Sequence, residues 1–161
     1  MKPHLLLMVG ASFALFSQYI VADTPVRFEV KWASTQGPAI PTYLSISSRD
    51  RWVEFWKQLK IDQARFIHGA TPAVDEAPEI DFNRVTLILA GAGTKPTGGF
   101  SISIQNIIES ENGIRVSVVE TELGRCAGTT ISTAPFVGAV IPATTKRISF
   151  DVTKTVPTAC R

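Results

Sequence analysis

Several stretches of this chain switch between apolar and polar side chains at every residue, a period of two that suits β-strands with one buried face. Phe100, Ile102 and Ile104 alternate with Ser101, Ser103 and Gln105; Ile114, Val116 and Val118 with Arg115 and Ser117; Ile148, Phe150 and Val152 with Arg147, Ser149 and Asp151. Between the first two stretches stands Glu111-Asn112-Gly113. Asn-Gly tolerates positive φ and favours a tight hairpin, so these two strands are expected to be antiparallel neighbours. The alternation slips at Asn106, because Ile107 and Ile108 are adjacent, and a β-bulge accounts for such a slip.

Other segments extend the β reading. Val26, Phe28, Val30 and Trp32 alternate with Arg27, Glu29 and Lys31, which predicts a first strand over residues 26–32. Gln36-Gly37-Pro38-Ala39-Ile40-Pro41 cannot sustain a ladder and reads as a loop, followed by a short strand near residues 43–46. Val85-Thr86-Leu87-Ile88-Leu89-Ala90 is almost continuously apolar and is bounded by Gly91, the pattern of a central strand covered on both faces. Residues 136–141 form a further apolar strand that Pro142 ends. One helix interrupts this series. Ser47 or Ser48 can cap it, Asp50 lies in its first turn, and Lys57 and Lys60 are placed near its end. Trp52, Phe55, Trp56 and Leu59 share one face at helical spacing; two tryptophans there could form a ligand shelf, but a core seam is the expectation, because such rings dominate burial. Residues 61–78 read as an exposed excursion. The resulting fold class is α+β: an antiparallel β-sheet or small β-sandwich of six or seven strands, with one amphipathic helix packed on a face.

Residues 1–22 have the order of a secretory signal: Lys2, an apolar run over residues 5–16, and Ile20-Val21-Ala22 before the expected cut. That run is shorter than the roughly 20 residues that cross a bilayer, so cleavage is expected instead of anchoring. A periplasmic or secreted single domain over residues 23–161 follows, with no membrane span. Loss of Lys2 lowers the formal charge of +2 by one, a balance unsuited to gripping nucleic acid. Cys126 and Cys160 would then meet an oxidising compartment and are expected to pair; a disulfide over that loop stabilises a fold by roughly 3 to 4 kcal/mol. A reactive thiol or metal pair is the alternative, although no cluster of His, Asp or Glu accompanies the cysteines.

Gly91-x-Gly93 directly after an apolar strand invites a nucleotide-binding reading. Pro96 stands where the dinucleotide fingerprint needs its third glycine, and a strand period follows instead of a helix. Nor does Lys95, followed by Pro96, form a phosphate-cradling motif. His68 is the one histidine after the signal and lacks a serine or cysteine motif, while Asp75-Glu76 sits between prolines as a solvated pair would. No catalytic residue, cofactor or metal ligand is therefore assigned.

The segment Asp81-Phe82, the strand over residues 85–90, the block Lys95-Pro96-Thr97-Gly98-Gly99-Phe100 and the hairpin after it resemble the carboxy-terminal domain of the PrcB family. The likeness runs from about residue 80 to 150 and includes the Gly124-Arg125-Cys126 turn and the Ser132-Thr133-Ala134-Pro135-Phe136 approach. Family members commonly carry Tyr where this chain has Phe100. The resemblance implies a non-catalytic exported domain that binds another protein, such as an exported protease, through Lys95, Pro96, Thr97, Gly98, Gly99 and Phe100. The same block is also similar to the Pro-Thr-Thr-Gly-aromatic loop of chagasin-like inhibitors, which implies a secreted protease inhibitor as the alternative. Either role suits a loop made tight by glycine and defined by proline. The same residues could equally do no more than turn the chain, with Phe100 facing the core.

Overall fold

The computed structural model describes residues 23–64, 75–124 and 128–158. The elements, in chain order, are β1 (Thr24–Pro25), β2 (Glu29–Ser34), β3 (Pro41–Ile46), α1 (Arg49–Ala64), β4 (Val85–Ala92), β5 (Ser101–Ser110), β6 (Gly113–Thr121), β7 (Phe136–Pro142) and β8 (Ile148–Thr155). They form two four-stranded sheets, ordered β1-β5-β6-β8 and β2-β7-β4-β3.

β4 explains how three layers stack. Alternate side chains leave a strand on opposite faces. Ile88 and Ala90 enter a core between the sheets with Ile104, Ile107, Ile114, Val116, Val118, Val137, Ala139 and Ile141. Leu87 and Leu89 enter a second core with Ile46, Trp52, Leu59 and Phe136, under α1. The strand is continuously apolar because both faces are buried, and its interior position in the sheet agrees with the sequence.

The helix packs its expected stripe inward. Trp52 and Leu59 are buried, and Phe55 and Trp56 pack beside them. Trp52 lies 5.4 Å from the Trp32 ring and 5.3 Å from that of Trp56, so these tryptophans form a core seam, not a ligand shelf. Their polar edges are also occupied: Trp52 Nε1 donates to the Pro78 carbonyl at 2.9 Å and Trp56 Nε1 to that of Asp75 at 3.1 Å. The helix runs a turn beyond the expected end. Lys57 and Lys60 are therefore not in its last turn, which holds no basic residue; Lys60 sits over the Trp56 ring and pairs with Asp75 at 3.2 Å.

The strand count is eight, not six or seven, because a two-residue strand, β1, precedes the first predicted strand and joins the other sheet. Thr24 and Pro25 pair with β5, whereas Glu29 to Ser34 pair with β7. Val26 and Phe28 pack on the core between the sheets, and Trp32 on the core under the helix. A register shift between Val30 and Trp32 leaves Val30 exposed. The sandwich is also not wholly antiparallel. β6 and β8 pair in parallel, because β7 lies between them in sequence but in the opposite sheet. The hairpin of β5 and β6 and the bulge between Ile104 and Asn106 stand where the sequence put them.

Candidate docking surface

At one end of the sandwich, the β4–β5 loop is held by backbone hydrogen bonds to the loop that precedes β7. Lys95 and Thr133 exchange both bonds, at 2.6 and 3.0 Å, and the Gly98 N–H donates to the Thr129 carbonyl at 3.1 Å. The Ser132 hydroxyl donates to the Lys95 carbonyl and that of Thr133 to the Thr97 carbonyl. The β2–β3 loop joins them: Gly37 donates to the Ala134 carbonyl, Ala134 to that of Thr35, and Thr94 to that of Ala39. Asp62, buried on α1, in turn accepts from the Ala39 N–H at 2.9 Å, which ties this loop to the helix layer.

Two glycines allow so close a fit. Gly99 has φ of +97°, a region that other residues adopt only with strain. Gly128 approaches the Gly98 carbonyl so closely that an added Cβ would collide with it. The loop is therefore a fixed corner with little entropy to lose on contact.

Beneath it lies a polar cluster that joins the sheets. Ile114, Val116, Val118 and Glu120 share the inward face of β6, so the last of this series is a carboxylate with only 5% of its surface exposed. A buried charge is tolerated when it is paired. The Tyr43 hydroxyl on β3, in the other sheet, donates to Glu120 Oε1, and the Lys95 ammonium lies 3.7 Å from Oε2. Burial, then the hydrogen bond to Glu120, then the charge of Glu120 push the Tyr43 hydroxyl well above its ordinary pKa. Lys95 also caps the Phe100 ring, 5.7 Å from its centroid.

The six residues singled out in the sequence thus share one corner but divide between two tasks. Lys95 turns inward to Glu120, Gly98 is buried, and Thr97 and Phe100 are half-buried; Pro96 and Gly99 face solvent. The apolar contacts on offer come mainly from neighbouring loops. Ile40 is 71% exposed and Ile131 is 70% exposed, the two most exposed large apolar side chains among the described residues. Sequence reading missed both, along with Tyr43 and Glu120. The signal for Glu120 was present: counting by two from Ile114 reaches it. Cys126, Cys160 and His68 lie outside the described residues.

Open grooves lie elsewhere on the described residues. One of about 690 Å³, at the β2 edge, sets Arg27, Lys31 and Arg84 among Glu29, Glu79 and Asp81, so its walls present no single charge. Among the described residues, no group of three or more potential ligands could hold a metal ion, and no helix is long and apolar enough to cross a membrane.

The fold and this corner define a β-sandwich with one covering helix and a rigid, laced loop end. Residues 86–142, from the start of β4 to the end of β7, match the family model described as PrcB C-terminal, the family that the sequence resembles. The matched segment contains the glycine loop, Glu120 and Ile131; Tyr43, Ile40 and α1 precede it. No curated protein and no solved structure matches the chain.

Proposed function

We propose that this is an exported, non-catalytic interaction domain that holds a protein partner, such as an exported protease, at the laced corner around residues 95–100. The observation that carries the reading is a rigid, doubly tied loop with exposed Ile40, Pro96 and Ile131 presented beside it. Exposed apolar side chains on an ordered backbone provide contact area at a low ordering cost. The match of residues 86–142 to the PrcB C-terminal family model supports an association with protease complexes.

The test is capture of partners from the extracellular fraction by the processed protein, compared with capture by Ile131→Asp. Because Ile131 is exposed, the substitution should leave melting unchanged and weaken partner binding roughly tenfold or more. Equal recovery by both proteins would remove this corner from the interaction. The fixed geometry of the loop also favours a second reading, a protease inhibitor, which predicts dose-dependent slowing of a cysteine or serine protease. Unchanged activity across a broad protease panel would eliminate it.

A further inference from the structure

The β1-β5-β6-β8 sheet has one edge that is finished for only part of its length. β1 covers β5 at Ile108 and Glu109, and the Val26 N–H takes the Ile107 carbonyl at 2.8 Å. From Ser101 to Asn106 the same edge has no strand beside it among the described residues. A strand edge of this kind presents unpaired N–H and C=O groups and is a template for another strand.

The other long edges carry features that discourage pairing. β2 has Glu29, Lys31 and a bulge, and β3 starts with Pro41. β8 places Lys154 in line with Ile148, Phe150 and Val152, on the side that faces the core. Proline, lysine, bulges and inward-side charges are the usual means of blunting an edge. The open stretch of β5, Ser101-Ile102-Ser103-Ile104-Gln105-Asn106, has neither charge nor proline, and its one bulge falls near the far end, at Gln105.

We infer that this edge pairs with β5 of a second copy of the chain, antiparallel and centred on Ser103, joining the two four-stranded sheets into one. Residues directly opposite in an antiparallel pair must share a face, which requires the two-fold axis to pass through a residue. Centred on Ser103, Ile102 meets Ile104 of the second copy on the core side, and Ser101 meets Gln105 on the outer side. Apolar therefore meets apolar and polar meets polar. The span also fits. β5 enters the ladder at Ser101, so a partner strand in this register leaves before it reaches Val26 and β1. The inference goes beyond the proposed function, since Ile40, Pro96 and Ile131 take no part in it.

The test uses charge at the axis. Ser103 lies on the outer face, between inward-facing Ile102 and Ile104, so a long polar side chain there leaves the core intact. Sedimentation of the processed protein should give a concentration-dependent dimer. Ser103→Lys and Ser103→Asp, each setting like charges opposite one another, should each raise the dimer dissociation constant roughly fivefold. An equal mixture of the two should restore dimer formation. Cα atoms of opposed residues lie about 4.5 to 5.5 Å apart, within disulfide range, so Ser103→Cys should crosslink to its own copy on mild oxidation. Ser117→Cys, on interior β6, should not. A monomer at all concentrations, a mixture no tighter than its parts, or equal crosslinking through position 117 would each overturn the inference. Pairing of the edge with a different protein would appear as the first of these results.

Discussion

Replacing Lys95 by Met should destabilise the fold chiefly through what it leaves behind. The methionine retains most of the stem that lies over Phe100 and removes the cation beside Glu120. Removing one partner of a fully buried pair costs about 3 to 5 kcal/mol. Here the Lys95 side chain is 21% exposed and the separation is 3.7 Å, and Tyr43 still donates to the carboxylate. We therefore expect about 2 kcal/mol, or a drop in melting temperature of about 8 °C for a domain of this size. Adding Glu120→Gln to Lys95→Met should recover much of the loss, because a neutral amide needs no cation and can still accept from Tyr43. The measurement is thermal unfolding of wild type, both single variants and the double variant, at low and high salt. A buried carboxylate is poorly screened, so about 1 M salt should not erase the difference. If Lys95→Met melts with wild type, or if the double variant falls by the sum of the single losses, Glu120 does not depend on this lysine and the account of the cluster is wrong.

Two further outcomes follow from the same cores. Gly138→Ala would place a Cβ 2.7 Å from the Trp32 ring and 3.1 Å from Leu89, where Trp52 backs the indole, and should cost about 1 to 3 kcal/mol in chemical denaturation; an unchanged midpoint would mean that the Trp32 seam is loose. The Tyr43 hydroxyl has a higher pKa in the folded chain than in the unfolded one. Its contribution is complete below the unfolded value of about 10 and is lost as pH rises above it. Stability should therefore decline above about pH 10 in wild type and decline less in Tyr43→Phe; parallel alkaline profiles would refute the link.

What the sequence disclosed was whatever local chemistry decides. The hairpin, the bulge near Asn106 and the doubly covered β4 each follow from a few adjacent residues, and each is found in place. The division of residues 26–32 between two cores was hidden, because the alternation continues unbroken while the chain moves from one core to the other. The parallel pairing of β8 was hidden for a related reason, since no local pattern records that β7 belongs to the opposite sheet. At the corner, glycine and proline marked the tight loop, but neither could show that Lys95 points inward. That depends on Glu120 and Tyr43, whose meeting is made by two different sheets.

The position of β7 also sets an order of events. Both β2 and β4 lean on it, one from each side, yet more than a hundred residues separate β2 from β7. A chain that emerges amino end first can join β3 to β4 early, while β2 waits without a ladder until Phe136 arrives. The same arrival supplies the carbonyls of Ala134 and Pro135 to Gly37 and Ala92, so the corner cannot take its final shape on a partial chain. Completion of the scaffold and shaping of the corner are thus one step.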